Sequence, residues 1–243
     1  MTSEPKYRRI LLKLSGEALG GHRAYGLDLK VVQRIAHQVK DVHAMGVSVA
    51  LLVGGGNIFR GIEGSEFGFD RSTGDYMGML ATVINALALQ EGIEQIGLQA
   101  RTMSAIEMPK VAEPFIRRRA IRHLEKGRIV ILGGGTGNPF MSTDTAAALR
   151  AAELECEVLM KATRVDGVYT ADPERNPQAE KLGRLEYLEV LTRGLGVMDS
   201  TAVTLCSENQ IPIVVFDLLK EGNMVRVVNG EAIGTLIGGA AAR

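Results

Sequence analysis

An α/β fold on a parallel sheet is predicted by three features of the sequence. Short apolar runs at residues 8–14, 47–53, 128–132 and 157–161 read as buried strands. A segment of helical periodicity separates the first two, which makes a βαβ unit and therefore parallel strands. Glycine-rich turns follow two of the strands, at Gly54-Gly55-Gly56 and Gly133-Gly134-Gly135, where a sheet edge lets backbone approach a ligand.

The 243 residues suffice for one α/β domain or a close pair of lobes, and the 46% hydrophobic share supports a packed interior. Twenty-eight basic residues balance 28 acidic ones, which argues against a protein built mainly to hold nucleic acid or an anionic membrane. Cys156 and Cys206 have no ligand-like spacing, so neither a disulfide framework nor a zinc site is expected. The polar N-terminus has no apolar segment after it, and no run approaches the roughly 18 apolar residues of a membrane span, so the chain reads as cytoplasmic.

The first strand stops at Ser15-Gly16-Glu17 and leaves Lys13 at its carboxyl end. A lysine there reaches phosphate oxygens at the ligand edge of the sheet, or else extends to water. Residues 20–26 are polar, carry His22, Arg23 and Tyr25 between glycines, and read as a mobile surface loop. Asp28 is a cap for the next helix, on which Val32, Ile35, Val39, Val42 and Met45 share one face and Gly46 marks the end. His37 and His43 fall on its solvated side. The second strand runs into Gly54-Gly55-Gly56-Asn57-Ile58-Phe59-Arg60-Gly61, where Arg60 offers phosphate a bidentate fork or is an exposed arginine on a turn. Asp75 opens a helix over 76–91 whose Met77, Met79, Leu80, Val83, Ile84, Leu87 and Leu89 cover more than one face, as a subunit contact requires. Asp75 is either the cap of that helix or a partner for a sugar hydroxyl.

A third strand is expected at 95–99, and the proline-interrupted stretch 103–114 has no clear pattern. Arg117, Arg118, Arg119, Arg122 and Lys126 then form the solvated face of a helix. The strand at 128–132 enters Gly133-Gly134-Gly135-Thr136-Gly137-Asn138-Pro139-Phe140-Met141-Ser142-Thr143-Asp144-Thr145 and a helix at 146–154. Such a loop grips phosphate through amides at the helix N-terminus, with Ser142, Thr143 and Thr145 adding hydroxyls; the plainer alternative is that Ser142, Thr143 or Asp144 caps the helix. It is neither a Walker-type loop nor a G-x-G-x-x-G turn. The strand at 157–161 ends in Lys161, and residues 161–173 carry the aromatic, carboxylate and backbone groups that adenine and ribose need. Two helices over 186–209, a strand at 213–216 and a terminal strand at 234–237 complete the chain.

Several cationic or glycine-rich sheet edges, without zinc ligands, a Ser-His-Asp set or a redox motif, indicate phosphoryl transfer. That reaction needs donor and acceptor aligned and the moving charge offset by Lys, Arg, amides and Mg²⁺. Lys13-Leu14-Ser15-Gly16-Glu17-Ala18, the Gly54 to Gly61 loop, Asp75-Tyr76-Met77-Gly78-Met79-Leu80-Ala81-Thr82, Thr136-Gly137-Asn138-Pro139-Phe140 and Lys161-Ala162-Thr163-Arg164-Val165-Asp166-Gly167-Val168-Tyr169 resemble, in that order, the bacterial uridylate kinases of the amino acid kinase family. The resemblance spans nearly the whole length. It implies a three-layer αβα sandwich on a mainly parallel sheet, forming one amino acid kinase domain over 1–243 with a monophosphate lobe N-terminal and an ATP lobe C-terminal. It also implies conversion of UMP to UDP by ATP with Mg²⁺ in pyrimidine nucleotide biosynthesis, activation by GTP, inhibition by UTP, and a homohexamer, with neither a nucleic-acid nor a membrane partner.

Residue by residue, the resemblance implies that Lys13, Leu14, Ser15, Gly16, Gly56 and Arg60 meet ATP phosphates, while Thr163, Tyr169 and Asp172 line the adenosine site. Gly55, Asp75, Thr136, Gly137, Asn138, Pro139, Phe140, Met141, Ser142 and Thr143 would hold UMP. Lys13, Arg60, Asp144 and Lys161 would carry the transfer, with Asp144 orienting the lysines, and Gly21, His22, Arg23, Ala24, Tyr25 and Gly26 would answer to GTP. A nucleoside monophosphate is largely dianionic at neutral pH, its second pKa being about 6, so no general base is needed. An acyl-phosphate-forming kinase of the same fold is the runner-up, and a nucleotide sensor without turnover is the non-enzymatic alternative.

Overall fold

A computed structural model of the chain describes residues 4–60, 68–163 and 165–239, apart from 172, 174 and 177. Strand β1 (Arg9–Leu14) alternates: Ile10, Leu12 and Leu14 enter one core layer and Leu11 the other. Two residues on from Leu11, Lys13 faces the second layer at the carboxyl end of the strand. Helix α1 (Gly16–Gly20) follows at once, capped by the Ser15 hydroxyl, which accepts from Ala18 N at 3.2 Å. Only a turn was legible there, because five residues are too few to show a period. Helix α2 (Leu29–Ala44) begins where Asp28 accepts from Lys30 N at 3.0 Å, and its buried face returns the chain to β2 (Ser48–Val53), parallel to β1.

Helix α3 (Arg71–Gln95) corrects the expectation at both ends. Asp70, not Asp75, is its cap, accepting from Thr73 N at 3.1 Å, so Asp75 lies inside the helix. At the other end the helix runs to Gln95, Ile96 is its C-cap and Gly97 turns the chain away at a φ of 86°, so 95–99 is not a strand and β3 is Ala100–Ser104. The first turn, Arg71-Ser72-Thr73-Gly74, is polar and carries no apolar period, which is why it was unreadable. There follow β4 (Glu113–Pro114), α4 (Arg117–Glu125), β5 (Ile129–Gly133) and α5 (Thr143–Glu153), which starts three residues before the expected run because Ser142 caps it. Next come β6 (Val158–Thr163), the hairpin of β7 (Val168–Tyr169) with β8 (Lys181–Leu182), then β9 (Arg184–Leu185), α6 (Tyr187–Thr192) and α7 (Ser200–Glu208). Finally β10 (Ile213–Asp217), α8 (Asn223–Val228) and β11 (Thr235–Ile237) close the described chain.

The nine-stranded sheet has the order β4-β3-β5-β2-β1-β6-β10-β11-β9 and is parallel at every junction but β10 with β11. Side chains of α2, α3 and α8 fill the layer on one face, and those of α4, α5 and α7 fill the other, which is the αβα sandwich. Each fully buried Leu, Ile or Val contributes about 1.5–3 kcal/mol. The chain leaves β1 toward β2 and comes back on the other side as β6. The carboxyl ends of β1 and β6 therefore flank a topological switch point, the crevice where open α/β sheets bind ligands. Their register sets Lys13 opposite Lys161. No helix among the described residues is long and apolar enough to cross a membrane.

Candidate active site

Lys13 and Lys161 are neighbours on adjacent strands and face the same side, since Leu11 and Leu159, two residues before each, both enter the layer beneath α5. Asp144, the second residue of α5, lies between them. Its Oδ1 is 2.7 Å from Lys13 Nζ and its Oδ2 is 2.7 Å from Lys161 Nζ, and Lys161 also donates to the Val197 carbonyl. The three side chains are 7%, 14% and 15% exposed for Lys13, Lys161 and Asp144, so the charges interact strongly. Burial alone would raise the Asp144 pKa, but Lys13 and Lys161 outweigh it and hold the carboxyl below its ordinary 3.8. Burial pushes Lys161 below its ordinary 10.5; Asp144 opposes this, Lys13 adds to it, and Asp199 opposes it weakly. Two ammonium groups against one carboxylate leave a net positive site for an anion.

Clefts open on both sides of this triad. The one beside Lys13, about 650 Å³, is lined by Ser15, Gly16, Gly55, Gly56, Arg60 and Asp75 together with residues 140–143. The one beside Lys161, about 500 Å³, is lined by Thr163, Tyr169 and the turn 193–197. Arg60 folds back on the rim of the first, its Nη2 2.5 Å from Glu17 Oε1 and its Nε 3.4 Å from the Gly56 carbonyl. Two of the glycines are needed for protein packing as well as for a ligand. A Cβ on Gly16 would come within 2.5 Å of Gly56 N, and one on Gly55 within 2.7 Å of the Gly78 carbonyl.

Not every residue singled out in the sequence reaches a cleft. Leu14 is fully buried and turns into the core. Thr136, Gly137, Asn138 and Pro139 lie off the cleft wall: Asn138 N donates to Thr136 Oγ1 at 3.1 Å, and Gly137 packs on Ala105. Asp172 and Gly61 are outside the described residues. At the start of α5, Ser142 Oγ accepts from the amides of Asp144 and Thr145 at 3.0 Å each, so those two amides are committed to the cap. Gly21 and His22 line a cavity of about 370 Å³ with Lys30 and Arg34. Arg23, Ala24 and Tyr25 line another, of about 430 Å³, that shares Glu17, Gly56 and Arg60 with the first cleft, so the 20–26 loop borders that cleft.

Asp75 accepts from Arg71 Nε at 3.0 Å and from Phe140 N at 2.8 Å. It thereby holds Phe140, a non-glycine residue at a φ of 67°, in a conformation that has to be maintained by its surroundings. Arg71 reaches over that ring, its guanidinium carbon 5.8 Å from the centroid. Arg71 and Asp199 were missed in the sequence. Asp199 accepts from Thr145 Oγ1 at 2.8 Å and from the Ser142 hydroxyl, and caps α7 by accepting from Ala202 N at 2.9 Å. Its Asp-Ser start to a helix was a readable cap; its link to α5 had no local signal.

Residues 8–217 match the model of the amino acid kinase family. The chain is similar to the UMP kinase of Bacillus anthracis at 39% identity, over 97% of each chain and with a TM-score of 0.93. It is similar to the UMP kinase of Ureaplasma parvum at 34% identity, over 96% of this chain and 100% of that one, with a TM-score of 0.90. Against the uridylate kinase of Archaeoglobus fulgidus the identity is 29%, over 94% of this chain and 99% of that one, with a TM-score of 0.74.

Proposed function

The chain belongs to the amino acid kinase family, and from that premise we propose that it transfers the γ-phosphoryl group of ATP to UMP, giving ADP and UDP for pyrimidine nucleotide synthesis. It is a kinase, and the observation that carries the choice of two nucleotide-sized partners is the pair of clefts meeting at Lys13, Asp144 and Lys161. Likeness to UMP kinases over nearly the whole chain supports UMP as the acceptor. ATP places its adenosine in the cleft of Thr163 and Tyr169 and extends its phosphates past Lys161 toward Lys13, Ser15, Gly16, Gly56 and Arg60. UMP occupies the cleft of Gly55, Asp75 and residues 140–143, with Thr136, Gly137, Asn138 and Pro139 supporting that wall.

A UMP phosphate oxygen attacks the γ-phosphorus as the bond to the ADP oxygen breaks, and the dianionic acceptor surrenders no proton. The protein's task is to bring two polyanions together. Asp144 holds both ammonium groups in place, and these offset the charge on the moving phosphoryl group. The side chains at the triad are cationic apart from Asp144, whose two carboxylate oxygens each lie 2.7 Å from an ammonium group, so the site suits Mg²⁺ carried by the nucleotide's own phosphate oxygens. Bound Mg²⁺ would supply further charge neutralisation.

The test is a panel of UMP, CMP, dUMP, AMP, aspartate, glutamate and carbamate with ATP and Mg²⁺, in which UMP should give the highest kcat/KM. Faster turnover of an amino acid or carbamate would instead indicate acyl-phosphate formation, and ATP binding without ADP release from any acceptor would indicate a sensor. Asp75→Ala should raise the KM for UMP by about tenfold or more while changing that for ATP little, because it removes a group from the acceptor cleft alone. Equal KM values in variant and parent would remove Asp75 from the UMP site.

The same proposal includes GTP activation, UTP inhibition and a cytoplasmic homohexamer. UTP, which shares its uracil nucleoside with substrate and product, competes in the UMP cleft. The cavity of His22, Lys30 and Arg34 offers cations to an effector phosphate, and Arg23 and Tyr25 share a cavity with Arg60. Along α3, Met77, Leu80 and Ile84 are 37%, 48% and 50% exposed, an apolar stripe that suits a neighbouring subunit. UMP saturation with and without GTP or UTP, on the parent and on Arg23→Ala, is the check, together with a size measurement. A monomeric parent, or one indifferent to GTP, would end this part of the proposal.

A further inference from the structure

Behind the first cleft two asparagines form a closed amide pair to which the transfer described above assigns no role. Asn57, in the loop after β2, is 6% exposed, and Asn85, on α3, is wholly buried. Asn85 Nδ2 donates to Asn57 Oδ1 and to the Gly54 carbonyl, both at 2.7 Å. In return Asn57 Nδ2 donates to Asn85 Oδ1 at 3.1 Å and to the Gly26 carbonyl at 2.9 Å. The backbone carbonyl of Asn57 also accepts from Gly26 N at 2.7 Å. Both amide groups are thus satisfied within the protein.

Such a pair adds only about 0.5–1.5 kcal/mol per bond to stability, so an apolar pair would serve packing as well. What an apolar pair could not do is fix two separate backbone segments at once. Gly54 opens the loop that bears Gly55, Gly56 and Arg60, and Gly26 is the foot of the 20–26 loop. The same helix also holds the opposite wall of the cleft, since Thr82 Oγ1 accepts from Gly134 N at 2.7 Å and Asp75 accepts from Phe140 N. Three polar side chains of α3 therefore set the spacing of the two walls.

We propose that Asn57 and Asn85 are positioning residues for phosphoryl transfer, whose amide pair holds the Gly54–Gly56 backbone and the foot of the 20–26 loop in the geometry that presents Gly55, Gly56 and Arg60 to the substrates. The catalytic consequence rests on the kinase reading above; the restraint on the two loops does not. A misplacement of about 1 Å in a phosphate-aligning loop costs about 10²-fold in rate.

The experiment combines backbone hydrogen exchange with steady-state kinetics on Asn85→Leu, Asn57→Ser and the double variant, each checked for folding by circular dichroism. Exchange across 20–26 and 54–60 should rise at least tenfold while β1 and β2 stay protected. The kcat should fall between about tenfold and 10²-fold, with the double variant no worse than the more impaired single one because the pair acts as a unit. The KM for ATP should change less than about threefold, a separation that general destabilisation would not give. Unchanged exchange in the two loops would overturn the restraint, and raised exchange with kcat within about twofold of the parent would overturn the positioning role. If Asn85→Leu does not fold, Asn57→Ser decides both points alone. A parent inactive on UMP would sink the proposed substrate while the exchange result still judges the pair.

Discussion

Asp144→Ala is expected to lower kcat/KM by a factor on the order of 10³ or more and to cost about 3–5 kcal/mol of folding stability. Both losses have one origin. Lys13 and Lys161 lie side by side on neighbouring strands, and Asp144, 2.7 Å from each, is their shared counterion in a largely buried place. Without it, two buried cations repel; one swings away or gives up its proton, and the alignment of phosphates is lost with it. The pH dependence has a definite sign. Because the folded Asp144 carboxyl titrates below its ordinary 3.8, its stabilisation is fully present above that value and is lost as pH falls through the folded pKa. The variant should lack this acid-side loss. Denaturant unfolding at pH 7 and in the acid range, with kinetics on the folded variant, checks both; kcat/KM within about tenfold of the parent would contradict the role.

Lys13→Ala should lower kcat/KM by about 10² or more but leave the fold in place. The asymmetry follows from the pairing: Asp144 keeps Lys161 when Lys13 is removed, so no lone buried charge remains. The missing ammonium is the one that lines the larger cleft. A variant that melts at lower temperature and yet turns over normally would make Lys13 structural. Lys13→Arg should restore only part of the rate, because a planar fork does not fit where a point charge sat 2.7 Å from a carboxylate oxygen.

Much of this was legible in the sequence. The apolar runs that became β1, β2, β5, β6 and β10 stood out because each is buried on both faces, and the cap Asp28 and the stop at Gly46 marked α2. The extension of α3 back to its cap at Asp70, the strand at 100–104 and the short helices α1 and α8 were not. A polar first turn, a helix buried on several sides and a five- or six-residue helix all lack the periodicity that such reading depends on.

By itself the sequence determined the buried strands β1, β2, β5, β6 and β10 and helix α2, that lysines stand near the carboxyl ends of two of those strands, and that glycine loops follow two of them. Those properties follow from burial and backbone preference over a few residues. The family resemblance implied that Asp144 orients Lys13 and Lys161; only the tertiary structure decided that the two lysines are strand neighbours in register, and that Asn57 meets Asn85 and Ser142 meets Asp199. Asn57 and Asn85 are 28 residues apart in sequence, and Ser142 and Asp199 are 57 apart. Such a bond depends on strand register and on how a helix packs across the sheet, and neither leaves a spacing that can be read along the chain.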